Sequence, residues 1–194
     1  MLTRCRLALW PLLAALLFFF SMGCGPPWVV VVQAVPNPFL NQRQFSLEPV
    51  HMENLTIGEK SEAAWQSEKD AEQRSSWQAD KQAFATNFIT HLSGEIPELR
   101  LIAGPPPDPR TFIIRPIVTW IEPGFYAYVA AHPTEVRMNL QILNASGGIL
   151  DEIKIRLAIG TTMTNPSTGG RMRDAGDKLG DVVAEYLRTR VFPE

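Results

Sequence analysis

Two runs of alternating residues around a glycine turn constrain the fold of this chain more than any other feature. Val136, Met138, Leu140 and Ile142 alternate with Arg137, Asn139 and Gln141, while Ile153, Ile155, Leu157 and Ile159 alternate with Lys154, Arg156 and Ala158. Successive side chains of a strand point to opposite faces, so each run has one apolar and one polar side. Between them, Asn144-Ala145-Ser146-Gly147-Gly148 supplies turn chemistry. The segment reads as an antiparallel hairpin with one wet face. Its apolar face needs a second layer of structure to cover it.

Two amphipathic helices can provide that layer. Trp77, Phe84, Phe88 and Leu92 recur at helical spacing with Ala85 and Ile89 beside them, and the pattern stops near Gly94. A last helix is expected over about Arg171 to Val191, with Ala175, Leu179, Val182, Tyr186 and Leu187 on its apolar side. Gly176 and Gly180 lie near that side and cost roughly 1 kcal/mol each against alanine. Their presence predicts a close backbone approach to the sheet.

Other strands are expected at Gln44 to Met52, at Leu99 to Ile102 and at Thr111 to Glu122, where Pro116 points to an edge position or a bulge. Tyr126 to Ala131 suits a short strand or hairpin arm. Glu53 to about Ser76 is polar and charged, and reads as a loop leading into a solvated helical extension in which Trp65 stands nearly alone. The expected fold class is therefore α+β: a mixed or antiparallel sheet with two helices packed on one face.

The N-terminus carries a different kind of information. Arg4 and Arg6 precede an apolar stretch from Leu7 to Phe20, followed by Ser21-Met22-Gly23-Cys24. Positive charge, apolar stretch and small-residue neck make an export signal. The stretch falls short of the ~20 residues that a membrane-spanning helix needs. Gly23-Cys24 fits cleavage before a lipid-bearing cysteine, although Ser21 stands where leucine is usual; Ser21 and Gly23 also fit the general signal peptidase.

Cysteine usage favours the lipid. The chain has two cysteines, and Cys5 leaves with the signal, so Cys24 has no partner within the mature chain. The division expected is 1–23 as a cleaved lipoprotein signal peptide, 24–38 as a tether or added strand, and 39–194 as a single α+β domain. Within 24–38, Trp28 and the valines up to Val35 are bracketed by prolines. They read either as a strand added to the domain or as an exposed segment that docks on a partner or lies at the membrane surface.

Composition narrows the functional classes. The formal net charge is −2 and, of the charged residues, the signal removes only basic ones, so nothing in the charge balance points to nucleic acid or to anionic lipid as a partner. The histidines His51, His91 and His132 are not grouped at zinc-ligand spacing, and His51 with Glu53 reads as a solvated strand end. Gly58-Glu59-Lys60-Ser61 lacks the first glycine of a phosphate loop. No nucleophile elbow occurs, and Asp151 with Glu152 reads as a pair of turn and strand-edge charges. No catalytic residue, metal ligand or cofactor is expected. Trp28 and Trp65 are the candidate partner contacts, because aromatic residues on polar surfaces mark interfaces.

The order of elements resembles a loose group of uncharacterised bacterial envelope lipoproteins, in layout similar to the TolB N-terminal domain and to the lipoproteins that activate penicillin-binding proteins. The segments that carry the resemblance are Ile113-Ile114-Arg115-Pro116-Ile117, Ile121-Glu122-Pro123-Gly124, Ser146 to Glu152 and Gly170 to Ala175. It implies Cys24 as the lipid-attachment residue. The reading favoured is a non-enzymatic binding or assembly module, anchored in the membrane through an N-terminal lipid and contacting another envelope protein. Gly25, lacking the aspartate of inner-membrane retention, points to the outer membrane facing the periplasm. An auxiliary lipoprotein of a lipid or small-molecule transport system is the alternative, and an enzyme is third.

Overall fold

The computed structural model describes residues 26–127 and 130–193. The signal segment and Cys24 lie outside the described residues. The strands are β1 (Trp28–Val32), β2 (Gln44–Leu47), β3 (Thr56–Ile57), β4 (Lys60–Ser61), β5 (Arg100–Ala103), β6 (Phe112–Glu122), β7 (Phe125–Ala127), β8 (Ala130–His132), β9 (Thr134–Leu143) and β10 (Ile149–Ile159). The helices are α1 (Glu62–Ser67), α2 (Ala71–Glu95) and α3 (Thr168–Val191). The main sheet runs β1-β10-β9-β6-β2-β5, with β3 also pairing along β6. It is mixed: β1, β10, β9 and β6 are antiparallel neighbours, whereas β2 lies parallel to both β6 and β5.

The alternating runs form the hairpin expected of them. Val136 pairs with Leu157, Met138 with Ile155 and Leu140 with Ile153, and all but the half-buried Leu157 are buried. Asn144 builds the turn: its Oδ1 accepts from the Gly148 amide at 2.8 Å and from the Ser146 amide at 3.1 Å. Gly147 takes the positive φ that this turn requires.

Helices α2 and α3 pack on each other, and α3 lies over β9 and β10. Trp77, Phe84, Phe88 and Leu92 of α2 join Met172, Ala175, Leu179, Val183 and Leu187 of α3 in one core with Phe45, Ile114, Val136 and Met138 of the sheet. The two glycines of α3 do permit close approach, but to α2 and not to the sheet. A Cβ on Gly176 would lie 2.6 Å from the Phe84 carbonyl oxygen, and one on Gly180 would lie 2.9 Å from the Leu92 nitrogen.

The stretch from Glu53 to Ser76 is more structured than its polarity suggests. Leu55 and Ile57 are buried, β3 runs alongside Trp120 and Ile121 of β6, and α1 follows. Helix α2 starts six residues ahead of Trp77 because Asp70 caps it. The Asp70 carboxylate accepts from the Gln73 amide at 2.8 Å while the Gln73 side chain accepts from the Asp70 amide at 3.3 Å.

One further expectation changes. Strand β6 is central, so Pro116 is not at an edge; it sits where the neighbour of β6 passes from β2 to β3, and its carbonyl accepts from the His51 amide at 2.9 Å. The residues after Trp28 form an added strand, β1, antiparallel to β10 at the outer edge of the sheet.

Candidate functional site

Covering one side of the sheet with α2 and α3 leaves the other side open. The polar positions of the hairpin point there: Arg137 and Asn139 from β9, Lys154 and Arg156 from β10. With Thr119 of β6, Val29 of β1 and the preceding Pro26 and Pro27, they line a shallow groove of about 620 Å³. Period-two alternation places them together, since Lys154 pairs with Asn139 and Arg156 with Arg137 across the ladder.

The groove is cationic in a chain of net negative charge. The Arg137 guanidinium stacks 4.1 Å from the centre of the Trp120 ring, whose indole N–H donates to the Gly58 carbonyl at 2.7 Å. Arg156 donates to Glu135 at 2.7 and 3.1 Å. Glu152, on the same side, accepts from the Gln141 amide at 2.9 Å. Among the described residues no hydrogen bond or ion pair reaches the Lys154 ammonium. Planar guanidinium groups, a free ammonium and an amide at one place suit phosphate or carboxylate oxygens.

Farther along β6, an ion-pair chain joins the segment after β2 to the sheet. Arg115 donates to both oxygens of Glu48, at 2.5 and 2.9 Å. His51 meets Glu48 through Nε2 at 2.9 Å and Glu53 through Nδ1 at 3.0 Å. The Arg115 hydrogen bonds hold the Glu48 carboxyl below its ordinary range, against the opposing effect of burial. His51 and Glu53 are thus brought together as strand geometry suggests, within a network that the sequence does not reveal.

The partner-contact candidates are placed differently from each other. Trp28 is half-buried with its ring edge-on to Tyr186 at 5.6 Å, on the helix side of the sheet. Trp65 is half-buried too, 5.0 Å from the buried Trp77, with the Lys69 ammonium 4.7 Å from its ring. Among the described residues, one group has donor atoms close enough to hold a metal ion: His91 and Glu95 of α2 with Asp181 of α3. His91 Nε2 lies 2.7 Å from Asp181 and 4.0 Å from Glu95; both carboxylates are exposed and the imidazole is half-buried.

The buried polar cluster at Asp151 overturns its reading as a turn or strand-edge charge. Asp151 has 0 % exposure. It accepts from Arg190 Nε at 2.7 Å, from the Tyr186 hydroxyl at 2.6 Å and from the Ala34 amide at 2.8 Å. Burial, reinforced by the hydrogen bond to Asp151, pushes the Tyr186 hydroxyl well above its ordinary value. At the other end of α3, Arg171 is equally buried but meets only neutral acceptors. It donates to Thr134 at 2.7 Å, to the Pro166 carbonyl at 2.5 Å and to the Pro123 carbonyl at 3.0 Å. Desolvation lowers its pKa.

No protein-family model matches the chain, and no curated protein matches it. Among solved structures, a PelC dodecamer from Paraburkholderia phytofirmans is similar with 8% identity and a TM-score of 0.43, covering 81% of this chain and 97% of that one. A minor lipoprotein from Acinetobacter baumannii is similar with 12% identity and a TM-score of 0.41, over 76% of this chain and 94% of that one. A Xanthomonas campestris protein described under family-model DUF330 shows 11% identity and a TM-score of 0.41, over 82% and 89%. At these scores the likeness is partial, and the fold class rests on the strands and helices themselves.

Proposed function

We propose that the chain is an exported, lipid-anchored protein of the bacterial envelope that works as a non-enzymatic binding or assembly module. Cys24 carries the lipid, and the open face of the sheet carries the contact. The observation behind the reading is the one-sided construction of the domain. Core side chains such as Phe39, Phe84, Phe88, Met138 and Leu179 fill the space between sheet and helices. The groove of Thr119, Arg137, Asn139, Lys154 and Arg156 is instead open to an incoming surface.

Metabolic labelling with a radioactive fatty acid, followed by membrane fractionation, tests the anchor. Wild type should take up the label and sediment with membranes; Cys24→Ser should do neither. An unlabelled wild type overturns the anchor. A photoreactive amino acid at Thr119 tests the face: it should cross-link in cells, and one at exposed Gln78 of α2 should not.

A further inference from the structure

The outer edge of the sheet is built unlike a protected edge. Among the described residues strand β1 pairs only with β10, and its sequence is one tryptophan followed by four valines. Val29 is 68% exposed, Val30 45%, Val31 47% and Val32 43%. Natural sheets usually blunt such an edge with charge, proline or a cover. Here none of the described residues covers the apolar edge, and the cations stand beside it: Val29 pairs with Lys154, and both line the groove with Arg137 and Arg156.

The position of β1 in the chain says what meets it. Val29 lies five positions after Cys24, a span of at most ~18 Å for extended chain. Pro26, two residues beyond Cys24, already lines the groove. We infer that the β1 edge and the cationic groove together form a docking face for an anionic phospholipid bilayer, which seats the domain on the membrane that holds its lipid. The inference rests on the reading of Cys24 as the lipid-bearing residue and of the open face as the contact.

Each part has a role at such a surface. The valines enter the headgroup layer as an apolar edge, and Lys154, Arg137 and Arg156 meet lipid phosphates. Glu135 offsets part of this charge through Arg156, and Glu152 is occupied by Gln141. A second copy paired through β1 would bring two sets of these cations close together, which disfavours that occupant.

The test uses the full chain, expressed with its signal and reconstituted into vesicles, with an environment-sensitive fluorophore on Val31→Cys. Flotation reports the anchor, and acrylamide quenching of the probe in the floated protein reports docking. In vesicles containing phosphatidylglycerol the probe should be blue-shifted and shielded; in phosphatidylcholine alone it should be quenched freely. Adding Lys154→Gln and Arg137→Gln should lower the docked-to-undocked ratio roughly thirtyfold while flotation persists. Floated protein with an equally quenched probe in both vesicle types overturns docking and leaves the anchor standing. Protein that floats on neither overturns the anchor and docking with it. Shielding that persists without vesicles and rises with protein concentration overturns docking in favour of pairing between two copies.

Discussion

Arg171 and Arg190 stand at the two ends of α3, both almost fully buried, and the fold accommodates their charges in opposite ways. Arg190 faces a carboxylate, Asp151, through two nitrogens at 2.7 and 3.3 Å, and also donates to the Ala34 carbonyl at 3.1 Å. Arg171 faces hydroxyl and carbonyl oxygens only. A counter-charge compensates strongly but becomes a liability when either partner is lost. A ring of dipoles divides the task among several acceptors, each individually dispensable.

The largest effect is therefore expected at Asp151. Asp151→Ala leaves the Arg190 guanidinium and the Tyr186 hydroxyl without their acceptor and should cost ~3–5 kcal/mol in denaturant unfolding. Arg171→Met removes the charge along with its bonds and should cost about 1–3 kcal/mol. Equal losses would break the contrast between the two ends.

The middle of α3 gives a reference free of charge. Gly176→Ala drives a Cβ against the Phe84 carbonyl at 2.6 Å and should lower stability by about 1–2 kcal/mol, even after the gain in helix propensity. Gly94→Ala, where a Cβ meets nothing within 4 Å, should stabilise instead. Thermal unfolding of the two variants separates crowding from propensity. Replacing the pair together, as Asp151→Leu with Arg190→Met, should cost far less than Asp151→Ala, within about 1–2 kcal/mol of wild type.

The smallest effect belongs to the half-exposed pair at Glu48. Its folded pKa is lowered, chiefly by Arg115, so its contribution is present above the ordinary glutamate value and is lost as pH falls through the folded value. Glu48→Gln should leave a shallower acid limb in a plot of Tm against pH. Asp80 has the opposite sign: burial raises its pKa, so its ionisation costs stability, and that cost is relieved as pH falls through the raised value. An unchanged acid limb in Glu48→Gln would place the acid sensitivity elsewhere.

The hairpin was legible because period-two alternation states both the strand and the buried face. The same rule reaches Asp151: two residues before Ile153 on one strand, it falls on the inward side, and the charge of the residue masked the position. Arg190 likewise lies seven residues after buried Val183, on the inner side of α3. Gly176 and Gly180 announced close packing, but spacing within one helix cannot say which element comes close. Residues 53 to 76 were unreadable for another reason. The short strand β3 is held by pairing with β6 and by Leu55 and Ile57, and β4 pairs in turn with β3, which leaves too few apolar residues for a periodic signal. The cationic groove is assembled from four strands and exists only once they are in register.

The clamp at Ala34 has a mechanical consequence. Tension applied at the N-terminus would reach the sheet first at Trp28 and peel β1 from β10 one pair at a time, until it met Ala34, held by Asp151 and Arg190. Unpeeled, the leash ends at the sheet edge; fully peeled, the chain from Pro26 to Ala34 would extend over roughly 27 Å. Most of the core lies beyond the clamp, from Phe39 onward, and would stay folded during that extension. Under such tension the edge strand would act as a take-up reel, with Asp151 as its stop.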